Sequence, residues 1–329
     1  MFNDLLQGFL RTLLGWSVMI PFLIGFAFLL FFLGFESAKR KPHIKIPAGT
    51  KYYNVEEKDV SDEDDKYILF KSSEYDLSVV VPAYNEEDRI TTMLDETTGF
   101  LKGTNLSYEI IVVNDGSADK TTETVLSYAE DNSIDNIRVI ELGANRGKGF
   151  AVRCGVFHSA GNLILFADAD GATDFQDYDK VADRLYALNN EKAVAIGSRA
   201  HLAEEDDVSI KRHKLRVLLQ QGFHLFVKFV TRLPIEDTQC GFKLFTRRAA
   251  QEIFTSMHVN RWIFDVEVLI LARLIGCKVE EVPVNWEEID GSKLNVASAT
   301  VEMFIDLIKL SVRYSLKFWK PIDFSEEEL

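Results

Sequence analysis

The hydrophobic pattern changes character along the chain and divides it into segments. From Thr12 to Phe35 there is no charged residue, a run of 24 positions. That is long enough to cross a hydrocarbon core with some tilt. A cleaved signal peptide would show a shorter apolar region, a basic start and a small-residue cleavage site. Residues 1–36 are therefore predicted to be an N-terminal membrane anchor, its transmembrane helix spanning about 12–35. Pro42, Pro47 and Gly49 then interrupt the chain, and Glu56 to Lys66 is mostly charged. The composition of 37–75 predicts a solvated linker.

From Asp76 short apolar runs alternate with helical periods. Leu77–Val81, Ile110–Val113, Ile137–Leu142 and Leu163–Ala167 read as buried strands, because each is continuously apolar rather than alternating. Asn85-Glu-Glu-Asp88 places acids in what reads as a first helical turn, followed by Ile90, Met93, Leu94 and Leu101 up to Gly103. Further helices are predicted over about 120–130, 150–160, 247–254 and 261–275, with a last strand over 278–284. This is the rhythm of βαβ units: an α/β fold, a Rossmann-like mostly parallel sheet with helices on both faces, over 76–295. Such sheets bind ligands outside their C-terminal strand ends. The polar clusters sit at those ends: Pro82-Ala-Tyr-Asn-Glu86, Asn114-Asp-Gly-Ser117, Asn145-Arg-Gly-Lys148, Asp168-Ala-Asp170 and Gly197-Ser-Arg199.

Two later segments mix basic and apolar residues. Ile210–Leu233 carries Lys211, Arg212, Lys214, Arg216 and Lys228 among leucines and phenylalanines; Thr300–Trp319 carries Phe304, Ile305, Ile308 and Phe318 beside Lys309 and Arg313. Each reads either as a core helix with a solvated face or as an amphipathic helix in the membrane interface. Residues 296–329 form the second of these helices and an acidic tail.

Charge sharpens this picture. The net charge of -14 excludes a general nucleic-acid binder. Lys39, Arg40, Lys41 and Lys45 follow the apolar run, whereas Arg11 is the one basic residue before it. That bias places the bulk of the chain in the cytosol as a single-pass protein. The sequon Asn105-Leu-Ser107 should then stay unmodified. Three cysteines, odd in number and scattered, read as reduced thiols, and the six histidines show no ligand spacing.

Carboxylates two apart at a strand end can share one hard divalent cation with phosphate oxygens. Asp168 and Asp170 are so placed. No Gly-x4-Gly-Lys-Ser/Thr occurs, and the first strand is not followed by Gly-x-Gly-x-x-Gly. A P-loop and a dinucleotide fold are thus disfavoured against a metal-held nucleotide-diphosphate donor.

Taken in order, the five clusters resemble inverting family 2 glycosyltransferases of the GT-A fold. With Asp237-Thr-Gln-Cys-Gly-Phe-Lys-Leu-Phe245 and Arg261-Trp-Ile-Phe-Asp-Val-Glu267, the resemblance narrows to polyprenyl-phosphate sugar transferases. It implies inverting transfer of glucose from UDP-glucose to dolichyl phosphate at the endoplasmic reticulum membrane, on its cytosolic side, for protein N-glycosylation, with Mg2+ or Mn2+ as cofactor. GDP-mannose as donor, or a non-catalytic protein keeping the fold, are the alternatives, and homo-oligomerisation stays open. By position it implies that Pro82, Tyr84, Glu86 and Asp115 hold the uridine, with Lys148 and Asp168 near the nucleotide. Asp168 and Asp170 would bind the metal. Arg199, Arg212, Lys243 and Lys293 would contact phosphates. Asp265 is a candidate catalytic residue, although it and Glu267 suit a purely structural role equally. Mannose-using relatives often carry Gln where this chain has Ala172, and Arg in the neighbourhood of Glu287 and Glu288. A third protein ligand for the metal is therefore unnamed.

Overall fold

The computed structural model describes residues 50–54, 73–205, 227–228, 231–289 and 296–322. The predicted anchor, Arg212, Lys293, most of the 210–233 segment and the acidic tail lie outside the described residues. Among the described residues no helix is long and apolar enough to cross a membrane. The described residues up to Leu307, with Pro321 and Ile322, form one compact unit; Ile308–Lys320 belong to a second.

The larger unit is built on eight strands: β1 (Lys51–Asn54), β2 (Tyr75–Ala83), β3 (Tyr108–Asn114), β4 (Ile137–Glu141), β5 (Gly161–Ala167), β6 (Ala193–Ser198), β7 (Phe242–Thr246) and β8 (Lys278–Pro283). Their order is β1-β4-β3-β2-β5-β7-β6-β8. The pairs β2–β3, β3–β4, β2–β5 and β6–β8 are parallel, and β7 runs antiparallel between β5 and β6. The linker expectation needs one correction. Lys51–Asn54 pairs antiparallel with β4, its Tyr52 opposite Ile140. Two adjacent tyrosines give this short stretch the strand propensity that its neighbours lack.

Helices cover both faces. On one side α1 (Ile90–Lys102), α2 (Thr121–Asp131) and α4 (Tyr178–Ala187) share a core with Val79, Val81, Ile110, Val112 and Leu165. On the other, α3 (Lys148–Phe157) lies so close to β2 that a Cβ on Gly155 would meet Val80 Cγ1 at 2.4 Å. Burial on both faces explains why these strands read as unbroken apolar runs. The short α5 (Ala200–Glu205) follows β6; α6 (Arg247–Ser256) and α7 (Phe264–Ile275) lie between β7 and β8 in the chain, α7 packing on β8, and α8 (Val296–Ser315) follows it.

Several helix starts differ from the pattern-based expectation. Asn85-Glu-Glu-Asp88 is not a helical turn. Asn85 adopts a left-handed φ of 57°, and α1 begins at Ile90. The polar side chains compete with the helix for backbone partners: Asn85 Oδ1 accepts from Ala118 N at 2.8 Å, and Glu87 Oε2 from Lys120 N at 2.9 Å. The loop after β2 is thereby stitched to the loop after β3. Conversely, α3 starts at Lys148, two residues before the expected start. Residues 261–263 form a turn ahead of α7 rather than its first turn. The last helix spans Val296–Ser315 and stops short of Trp319, where Lys317 takes a φ of 59°.

Candidate active site

Because β2, β3, β4, β5, β6 and β8 point the same way, their C-terminal ends share one edge, and β7 begins there. A cavity of about 720 Å³ opens along this edge, within the usual size range of small-molecule sites. It is lined by Pro82, Tyr84 and Glu86 after β2, Asp115 after β3, Gly147 and Lys148 at the start of α3, and Asp168, Asp170 and Ala172 after β5. The opposite wall comes from Arg261 and Trp262 before α7, and from Trp286, Glu288 and Ile289 after β8.

The aspartates are held by backbone geometry. Asp168 N donates to Gly241 O at 3.0 Å, where β5 ends beside the start of β7. A Cβ on Gly241 would fall 2.0 Å from Asp168 Oδ2, so only glycine leaves room for that carboxylate. Lys148 Nζ meets Asp168 Oδ1 at 2.6 Å. Asp170 Oδ1 accepts from Ala172 N at 3.1 Å, closing a tight turn. Phe175, packed among Phe100, Tyr178 and Phe242, anchors the loop that follows.

Asp115 is buried, and its two oxygens accept from Arg146 N at 2.7 Å and Gly147 N at 2.8 Å. It lines the cavity while fixing the 143–147 loop. Burial raises its carboxyl above the ordinary value, outweighing those two bonds and the pull of Arg146 and Arg261. Glu86 is also raised by burial, against the opposing pull of Arg89, and Asp170 and Asp168 add to the rise. Its carboxylate takes Arg89 Nε at 2.8 Å and Nη2 at 2.7 Å. For Lys148 burial works against the charge, but Asp168, Asp265 and Asp170 outweigh it and the ammonium is held more firmly than usual. This part of the cavity thus gathers Glu86, Asp115, Asp168 and Asp170 beside Arg89, Lys148 and Arg261.

Three of the predicted phosphate or catalytic residues are placed otherwise. Lys243 is 1% exposed, and its Nζ donates to Asp265 Oδ1 at 2.5 Å and to Cys240 O at 2.6 Å. Neither Lys243 nor Asp265 is among the residues lining the cavity. β7 runs through the sheet interior, so its lysine points into protein rather than toward an acceptor. Arg199 is likewise engaged: its Nε and Nη2 grip Asp237 at 2.6 and 2.9 Å, and its guanidinium lies 5.3 Å from the Trp286 ring. It supports the cavity wall from behind. Glu267 is structural, accepting His258 N and Val259 N.

The pattern reading did not single out Arg89, Arg261, Trp262 or Trp286 for the site. Trp286 bridges to Thr173, Glu287 N donates to Ala172 O at 2.9 Å, and Asp177 Oδ2 accepts from Asn285 N. These bonds fold the segment after β8 back over the loop that follows β5. The signal was the aromatic Trp286 in an otherwise polar loop, whose pairing partner lies more than a hundred residues earlier.

Among the described residues no group of three or more His, Cys, Asp or Glu is gathered to hold a metal. Asp168 and Asp170 offer two hard oxygen donors on an open cavity, which suits a cation completed by phosphate oxygens and water rather than by an all-protein cage.

Fold and site together define a GT-A glycosyltransferase. Residues 78–254 match the model of glycosyl transferase family 2. The chain is 47% identical over 250 residues to the dolichyl-phosphate beta-glucosyltransferase of Dictyostelium discoideum, covering 74% of this chain and 76% of that one. It is 45% identical over 302 residues to the enzyme of that name from Drosophila melanogaster, covering 88% and 91%. Glucosyl-3-phosphoglycerate synthase from Mycobacterium tuberculosis, solved with Mn2+, UDP-glucose and phosphoglyceric acid, shares the fold. Its TM-score is 0.52 at 13% identity, over 75% of this chain and 82% of that one. The chain belongs to glycosyl transferase family 2 and, within it, to the dolichyl-phosphate beta-glucosyltransferases.

Proposed function

We propose that this protein transfers glucose from UDP-glucose to dolichyl phosphate with inversion, giving dolichyl β-D-glucosyl phosphate and UDP, in the service of protein N-glycosylation. The observation that carries the chemistry is one cavity on the C-terminal strand edge that brings Glu86, Asp115, Lys148, Asp168 and Asp170 together. Pro82, Tyr84, Glu86 and Asp115 would face the uridine, and Lys148 the diphosphate. An oxygen of the acceptor phosphate attacks the anomeric carbon from the face opposite UDP. The bond from that carbon to the β-phosphate oxygen breaks, and its electrons leave with UDP. A phosphate monoester, with a second pKa of about 6, is already an anion near neutral pH and needs no strong base. Positioning and charge screening therefore dominate. Mg2+ or Mn2+, held by Asp168 and Asp170 with donor phosphate oxygens, would neutralise the charge developing on the departing UDP.

The same reading puts the enzyme at the endoplasmic reticulum membrane, anchored by 12–35 with its catalytic unit in the cytosol. The exposed Phe304, Ile305 and Ile308 on α8 suit an interfacial helix. The test is transfer of label from UDP-[14C]glucose to dolichyl phosphate by purified protein, with GDP-mannose run alongside and chelator added in a parallel arm. Metal-dependent transfer from UDP-glucose is expected. Transfer from GDP-mannose alone, or from neither donor, would overturn the proposal.

A further inference from the structure

Among the described residues the cavity is lined by five carboxylates against three cations, Arg89, Lys148 and Arg261. A diphosphate and a phosphate monoester must still enter it if the proposed function holds, and the inference below rests on that reading. Two of the cations are already engaged. Arg89 lies bidentate on Glu86, and Lys148 on Asp168. Arg199 and Lys243, the other described residues expected to meet phosphate, are locked to Asp237 and Asp265. Arg261 forms no hydrogen bond or ion pair with any described residue through its guanidinium, and it is exposed to the cavity.

Its base is nevertheless fixed. A Cβ on Gly147 (φ 100°) would meet Arg261 Cγ at 2.9 Å and Asn260 O at 2.5 Å, so the stem lies against the start of α3. Phe150 N donates to Asn260 O at 3.0 Å, and Phe264 N to Arg261 O at 3.1 Å. The turn before α7 is thus bolted to α3 while the charged head stays free. Arg261 is also close enough to Asp115 to act on its charge. A guanidinium is a rigid fork matched to phosphate oxygens.

We propose that Arg261 is a phosphate-binding residue of the site, its guanidinium taking phosphate oxygens of the donor diphosphate or of the acceptor monoester. The full-length protein would be tested as Arg261→Gln and Arg261→Lys. Arg184→Gln, on the outer face of α4 and largely exposed, serves as the control of equal charge change. The readouts are KM for UDP-glucose and for dolichyl phosphate, with direct binding of UDP and of a short-chain polyprenyl phosphate in detergent. Arg261→Gln should weaken one of the two by about tenfold and leave the other within about twofold. Weakened UDP binding assigns the donor diphosphate; weakened lipid-phosphate binding assigns the acceptor. Arg261→Lys should recover part of the loss, and Arg184→Gln should change neither. Both affinities and both KM values of Arg261→Gln staying within about twofold of wild type would overturn the proposal, as would a loss seen only in Tm. Wild-type protein that transfers no glucose would sink the proposed function, and the two binding measurements would still decide the role of Arg261.

Discussion

The carboxylate of Asp168 depends on a glycine 73 positions later. Gly241→Ala would place a methyl group 2.0 Å from Asp168 Oδ2, and backbone on both sides leaves the carboxylate as the group that must move. A displacement of about 1 Å at a reacting site costs on the order of 100-fold. Gly241→Ala should therefore lower kcat by about that factor while remaining folded by circular dichroism; a kcat unchanged would contradict this placement of Asp168. A second residue-scale prediction concerns Asp237. Burial would raise its carboxyl, but the hydrogen bonds and charge of Arg199 hold it below the ordinary value near 3.8. Stability from this pair is then present above that value and lost as pH falls through the lower folded-state value. The stability gap between wild type and Asp237→Asn in urea melts should be constant above about pH 5 and shrink as pH falls below about 4; a gap that stays constant down to the lowest pH at which the protein is folded would rule the pair out as its source. Neither partnership was legible in the sequence. Asp168 and Asp170 could be found because they end an apolar run, and Glu86 and Lys148 because they lie in the loops that follow such runs and match the family's motifs. Which cations are free and which are locked depends on partners far apart in the chain.

At the scale of elements, the parallel half of the sheet was readable because strands buried on both faces leave unbroken valine and isoleucine runs. The antiparallel direction of β7 was not, since strand direction leaves no mark on composition. That direction decides the fate of Lys243. It sits mid-strand opposite Phe166 and Ile196, and reaches Asp265 on α7 instead of the cavity. The pair joins strand to helix inside the protein. Lys243→Met leaves a buried carboxylate uncompensated and should destabilise the fold by about 3–5 kcal/mol, whereas Lys243→Met with Asp265→Leu should recover most of it. A double variant no more stable than the single would contradict a pairwise role. The start of α1 was misread because acids after a strand fit both a first helical turn and a loop. Asn85 at φ 57° settles it as a loop.

For the whole molecule, the proposed orientation rests on the charge bias around the apolar run, and the sequon at Asn105 offers a reporter of it. Asn105 is exposed in the loop between α1 and β3, with Ser107 ordered on Asp76. A lumenal domain would carry glycan there. Endoglycosidase treatment of the protein from its native membrane should leave its mobility unchanged; a downward shift lost in Asn105→Gln would reverse the proposed topology. The edge-wide cavity and the paired aspartates suit the proposed transfer, whose single displacement gives one product. The most direct measurement is the anomeric configuration of the lipid-linked sugar made from UDP-glucose and dolichyl phosphate, read by the proton coupling at its C1. The expected result is β-glucosyl phosphate in every turnover; an α-linked product, or sugar released to water with none on the lipid, would contradict it.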